Sequence, residues 1–244
     1  MKYVAIIPAR YSSTRFPGKP LADICGKPMI WWVYNQVKKV PQFNDVFVAL
    51  DDERIMKVCD EYGIKYMMTK NNHPEHISRI HEVSDKIEAD IYVCVNGDEP
   101  LISPKVIEQA LPIGVEDKVF FSGAMRKLSD PAETLDPANI KIAVNDRNES
   151  IYISRSAMPF PKGTLMFSYY KYVGIECFTK EALDFFVSTE QGRLEKIEDI
   201  DHLRFLENHK VLSFKEVDSE SISVDTPKDL EKVRIIMSNK LNEK

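Results

Sequence analysis

The chain has 244 residues, 43% hydrophobic and 29% charged, with a formal net charge of -5. This composition excludes a disordered chain, and the acidic balance excludes non-specific nucleic-acid binding, which needs a basic surface. No apolar run reaches the roughly 18 residues of a membrane span, so neither nucleic acid nor membrane is expected as a partner.

The N-terminus MKYVAIIPAR has no secretory apolar region, because charge arrives at Arg10. The four cysteines form no CxxC pair and have no histidine at ligand spacing. They read as reduced thiols of a cytoplasmic protein.

Taken in order, YVAIIPA (3–9) is a buried strand and PMIWWVYNQVKKV (28–40) a helix with Lys38 and Lys39 in its last turn. DVFVALDD (45–52) is a strand, ERIMKVCDEYG (53–63) a helix closed by Gly63, and KYMMT (65–69) a short strand. SRIHEVSDKIE (78–88) reads as helix, DIYVCVNGDEP (90–100) as a strand entering an acidic turn, and PKVIEQALPIG (104–114) as helix. This alternation predicts a mostly parallel sheet with helices on both faces, and ligands beyond the carboxyl ends of its strands.

The second half changes character. KVFFSGAMRKL, NIKIAVND, SIYISRSAMPF, KYVGIECF and VLSFKEV are closely spaced strand-like runs that predict an antiparallel extension of the parallel core. Helices return at 180–188, 197–209 and 227–241. With no repeat and no linker, residues 1–244 read as one α/β domain.

The run IIPARYSSTRFPGKP (6–20) carries Arg10, Arg15 and Lys19 directly after the first strand. A loop leaving a strand can aim backbone N–H groups and cationic heads at one anion, and Gly18 permits a tight turn. The sequence lacks GxxxxGK[ST] and GxGxxG, so neither a Walker loop nor a dinucleotide fold is indicated. Two acidic strand ends lie far away, VNGDEP with Asp98 and SVDTPKDL with Asp225. Together they suit Mg²⁺, which takes one or two carboxylates plus substrate phosphates. Each also has a structural reading: Asp98 as a turn former, Asp225 as a helix N-cap.

In this order the pieces resemble the CMP-KDO synthetases (3-deoxy-manno-octulosonate cytidylyltransferases) of the nucleotidyltransferase superfamily. The matching stretches include IIPARYSSTRFPGKPL, VALDDERI, VNGDEPLI, IYISRSAMPFP, YVGIECF and VDTPKDLEKVR, and they span nearly the whole chain. The resemblance implies a three-layer, Rossmann-like nucleotidyltransferase fold that forms homodimers. It implies Mg²⁺-dependent transfer of CMP from CTP to a small acceptor, KDO or a related sugar acid, with release of pyrophosphate. Carried over by motif, Arg10, Arg15 and Lys19 grip the triphosphate, Arg79 belongs to the nucleotide site, and Asp98 and Asp225 bind the metal. Asn96, Arg155, Tyr172, Glu176 and His202 fall to the acceptor side.

The matches break at specific places. EHISR (75–79) keeps only the arginine of the family's Ser-Gly-Thr-Asp-Arg, and Asn96 replaces a glutamine, roughly 1.5 Å longer. Tyr172, Glu176 and His202 replace a histidine, a tyrosine and a glutamine of the family. A hydrogen-bond partner lost in a polar pocket costs about 1–3 kcal/mol, so these swaps predict that KDO is a poor acceptor. The alternatives are a phosphate or phosphonate acceptor and a non-catalytic nucleotide-binding paralogue. Retention of Arg10, Lys19, Asp98 and Asp225 speaks against the last.

Overall fold

A computed structural model describes residues 1–13, 15–115, 120–164 and 166–242. In chain order the elements begin with β1 (Tyr3–Ala9), a single 3-10 turn (Lys19–Leu21), β2 (Asp23–Ile24), β3 (Lys27–Pro28) and α1 (Met29–Val37). There follow β4 (Phe43–Leu50), α2 (Glu53–Tyr62), β5 (Tyr66–Met68), α3 (His76–Ser84), β6 (Ile91–Val95) and α4 (Pro104–Ala110). The remainder comprises β7 (Phe121–Leu128), α5 (Pro131–Leu135), β8 (Lys141–Val144), β9 (Ser150–Ser154), β10 (Tyr169–Phe178), α6 (Lys180–Ser188), α7 (Arg193–Glu198), α8 (Leu203–Glu207), β11 (Ser213–Glu216) and α9 (Pro227–Asn242). No described helix is long and apolar enough to cross a membrane. Packing divides the chain into two units, residues 1–108 with 219–244, and residues 109–218.

In the first unit β1 lies between β4 and β6, and β5 pairs with β4; all three pairings are parallel. The sheet is buried enough that β6 has no exposed position, as expected for parallel strands covered on both faces. Helix α2 starts at Asp52, whose carboxylate accepts from the Arg54 amide, and ends at Gly63 in the left-handed region, φ 62°. The C-terminal helix α9 returns to this unit. Its Leu230, Val233 and Met237 pack with Ile24, Met29 and Val224, against Phe16 and Trp32. That apolar contact carries the segment before α9 back to the loop after β1.

The second unit is largely antiparallel: β10 pairs antiparallel with β7 and β8, and β8 with β9. The fifth strand departs from the expected pattern, because β11 runs parallel to β7. The run beginning at Lys118 forms β7 only from Phe121; residues 118 and 119 lie outside the described residues. The helix expected over 197–209 is two helices. Asp199 adopts φ 53° and closes α7, a left-handed conformation that aspartate tolerates better than most residues, and α8 starts afresh beyond it.

Candidate nucleotide and metal site

The carboxyl ends of the parallel strands gather the charged residues of the first unit. Lys19 Nζ donates to Asp98 Oδ2 at 2.7 Å and lies 3.5 Å from Asp225 Oδ1. Arg15 Nη2 reaches the same Asp225 oxygen at 3.1 Å. Residues more than 200 positions apart thus share one cluster.

Backbone contacts explain the convergence. The Val224 amide donates to the Asp98 carbonyl at 2.9 Å, which ties the strand-end turn to the segment carrying Asp225. Gly97 allows the turn to settle against β1, since a Cβ there would lie 2.7 Å from the Pro8 carbonyl oxygen, inside any tolerable contact.

Asp225 is not the helix cap. Thr226 and Asp229 form the cap themselves: the Thr226 hydroxyl and amide donate to Asp229 Oδ2 at 2.7 and 3.0 Å, and the Asp229 amide donates back to the Thr226 hydroxyl at 3.3 Å. This is a capping box with aspartate in the glutamate role, and it leaves the Asp225 carboxylate to the charged cluster. Asp98 keeps capacity as well. Its Oδ1 is buried and accepts no hydrogen bond. A buried, unpartnered carboxylate oxygen beside a second carboxylate is a donor set that fits a hard divalent cation.

The basic loop is closed on itself. The Gly18 amide donates to the Tyr11 carbonyl at 2.9 Å, with Gly18 at φ 70° and packed on the Tyr11 ring. Arg54 covers that ring, its guanidinium carbon 3.3 Å from the centroid. Arg10 is exposed at the end of β1 and forms no ion pair among the described residues.

Arg79 is placed differently. Its side chain is 4% exposed, and it donates to Asp51 Oδ2 at 2.8 Å and Thr69 Oγ1 at 2.6 Å. Asp51, which sequence reasoning passed over, is the partner; the signal was the paired acid in VALDD at a strand end facing the site edge. Asn96 is half-buried in the turn after β6, its side chain near the Cys94 thiol.

The remaining predicted residues lie in the second unit. Glu176 is fully buried, and one of its oxygens accepts from the Tyr172 hydroxyl at 2.7 Å and from His202 Nε2 at 2.6 Å. The strand register slips between Val173 and Glu176, a distortion of the kind that re-aims side chains. His202 is 4% exposed. The three swapped positions therefore bond to one another, and none is left without a partner. The reason for expecting poor KDO acceptance was partners left unsatisfied, and among these three that reason does not hold. Arg155 donates to the carbonyls of Glu198, Asp199 and Pro137 at 2.7, 2.9 and 3.2 Å, fastening the end of α7.

Comparison with known proteins bears on the same residues. A family model described as cytidylyltransferase matches residues 4–216. The 3-deoxy-manno-octulosonate cytidylyltransferase of Escherichia coli is 38% identical over 242 residues, covering 99% of this chain and 98% of that protein. The protein of the same name from Geobacter metallireducens is 38% identical over 247 residues, covering 96% of each. A solved structure of CMP:2-keto-3-deoxy-manno-octonic acid synthetase complexed with CTP is 37% identical, with a TM-score of 0.92, over 98% of this chain and 100% of that one.

Proposed function

The chain belongs to the 3-deoxy-manno-octulosonate cytidylyltransferase family, and from that premise we propose that it transfers CMP from CTP to the sugar acid KDO with release of pyrophosphate. The observation that carries the reading is the meeting of Lys19 and Arg15 with Asp98 and Asp225 at one strand edge. The relatives' names supply the acceptor, and the hydrogen bonds that Glu176 accepts from Tyr172 and His202 mean that these three swaps leave no group without a partner.

The residues divide the work by charge. Arg10, Arg15 and Lys19 bind the triphosphate, whose negative charge concentrates as pyrophosphate departs. Asp98 and Asp225 would hold Mg²⁺, which when bound supplies charge neutralisation at the phosphates. No covalent participation of the protein is required. Holding the acceptor hydroxyl in line with the α-phosphate and excluding water are the main tasks. The family pattern assigns Asn96, Arg155, Tyr172, Glu176 and His202 to the acceptor, Arg155 acting through the backbone at the end of α7 that it fixes. The working unit is a homodimer, supported by exposed apolar side chains of the second unit such as Phe160 and Met166, 86% and 94% exposed.

The test is a screen of CTP with KDO, other sugar acids, phosphate monoesters and phosphonates, read by phosphate release with added pyrophosphatase. Efficient CMP-KDO formation with Mg²⁺ is expected. Turnover with a phosphonate and none with KDO would replace the acceptor. No turnover with any acceptor, alongside CTP binding, would favour the non-catalytic paralogue.

A further inference from the structure

Tyr11 is the neck of the basic loop, and every part of it is held. Its carbonyl accepts from Gly18, its ring lies against Gly18 and against Arg54, and its amide donates to Asp51 Oδ1 at 3.1 Å. The other oxygen of Asp51 accepts from Arg79. Arg79 in turn donates to Thr69, whose hydroxyl and amide both donate to the Leu50 carbonyl at 3.0 and 2.8 Å. One carboxylate therefore joins the exits of β1, β4 and β5.

Both partners of the ion pair are nearly out of solvent, 4% and 7% exposed. A guanidinium in that setting needs its carboxylate, and the planar fork, anchored on Thr69 through one nitrogen, holds one Asp51 oxygen so that the other meets the Tyr11 amide. That second oxygen holds the backbone of the residue next to Arg10.

We propose that Asp51, oriented by Arg79, is a positioning residue for the nucleotide: it fixes the loop bearing Arg10, Arg15 and Lys19 without touching the triphosphate. This rests on the reading of that loop as the triphosphate site. Its consequence is specific. Weakening the pair lowers apparent affinity for CTP, whereas affinity for the acceptor is unaffected. It also loosens the loop itself, which carries a trypsin site after Arg15 that is followed by phenylalanine.

The experiment compares Asp51→Asn with the wild type and with Lys19→Ala in the full-length protein, measuring KM for CTP, KM for the acceptor, kcat, and the rate of tryptic cleavage after Arg15. Asp51→Asn is expected to raise KM for CTP about ten-fold, to leave the acceptor KM within two-fold, and to speed cleavage at Arg15. Should that variant fail to fold, Arg79→Lys takes its place, since a single ammonium cannot reproduce the fork between Asp51 and Thr69; the same shifts, smaller, are expected. An unchanged CTP KM and cleavage rate in the folded variant, with Lys19→Ala still impaired for CTP, would overturn the proposal and leave the loop's role intact. If Lys19→Ala also binds CTP normally, the loop is not the triphosphate site and both readings fall.

Discussion

At the edge of the first unit, Lys19, Asp98 and Asp225 meet with 19–29% of each side chain still exposed, and one Asp98 oxygen remains without a hydrogen bond. In the second unit Glu176 is fully buried and held by Tyr172 and His202, both donating to the same oxygen. The first cluster has capacity left for an incoming cation and an incoming anion. The second is a buried polar cluster whose carboxylate is hydrogen-bonded, because an unsatisfied buried carboxylate is costly. Exposed charged pairs contribute little to stability, whereas a buried pair becomes strongly destabilising once one partner is removed. Substitutions at Asp98 and Asp225 should therefore cost activity and little stability, whereas substitutions in the second cluster should cost stability whatever they do to the acceptor.

The largest effect expected is on turnover. Asp98→Ala should lower kcat by at least about 10²–10³-fold, the range typical of removing one electrostatic group from a phosphoryl or acyl centre, with an unchanged melting curve. Near-normal turnover in that variant would take Asp98 out of the chemistry and erase the contrast.

Next comes stability in the second unit. His202→Leu leaves the buried Glu176 carboxylate short of a donor and should cost about 3 kcal/mol in denaturant unfolding. A cost within the scatter of surface substitutions would mean that this cluster is as adaptable as the first.

The smallest effect sharpens the comparison inside two neighbouring residues. Thr226→Ala removes the cap of α9 and should cost about 1 kcal/mol of stability, leaving kcat nearly intact. Asp225→Asn should do the reverse, with activity lost and unfolding unchanged. If Asp225→Asn alone destabilised the fold, the cap assignment would be wrong.

Much of the fold was legible because periodicity is local. The parallel strands, the Gly63 cap of α2 and the bounds of α6 follow from residues within a few positions of one another. The break between α7 and α8 was not legible, because Asp199 enters the left-handed region at the end of a continuous helical pattern. The direction of β11 is fixed by a partner about 90 residues away in β7, which no local pattern records.

The sequence by itself determined the residue types of the site: cations after the first strand, carboxylates at two distant strand ends, and a charge balance that makes this basic run stand out. Only the tertiary structure decided their allegiances. It gave the cap of α9 to Thr226 and Asp229 and so released Asp225, it committed Arg79 to Asp51, and it bonded Glu176 to both Tyr172 and His202. The physical reason is that a charged or polar group declares its chemistry in its own formula, whereas its partner is set by whichever groups burial and backbone closure bring within about 3 Å.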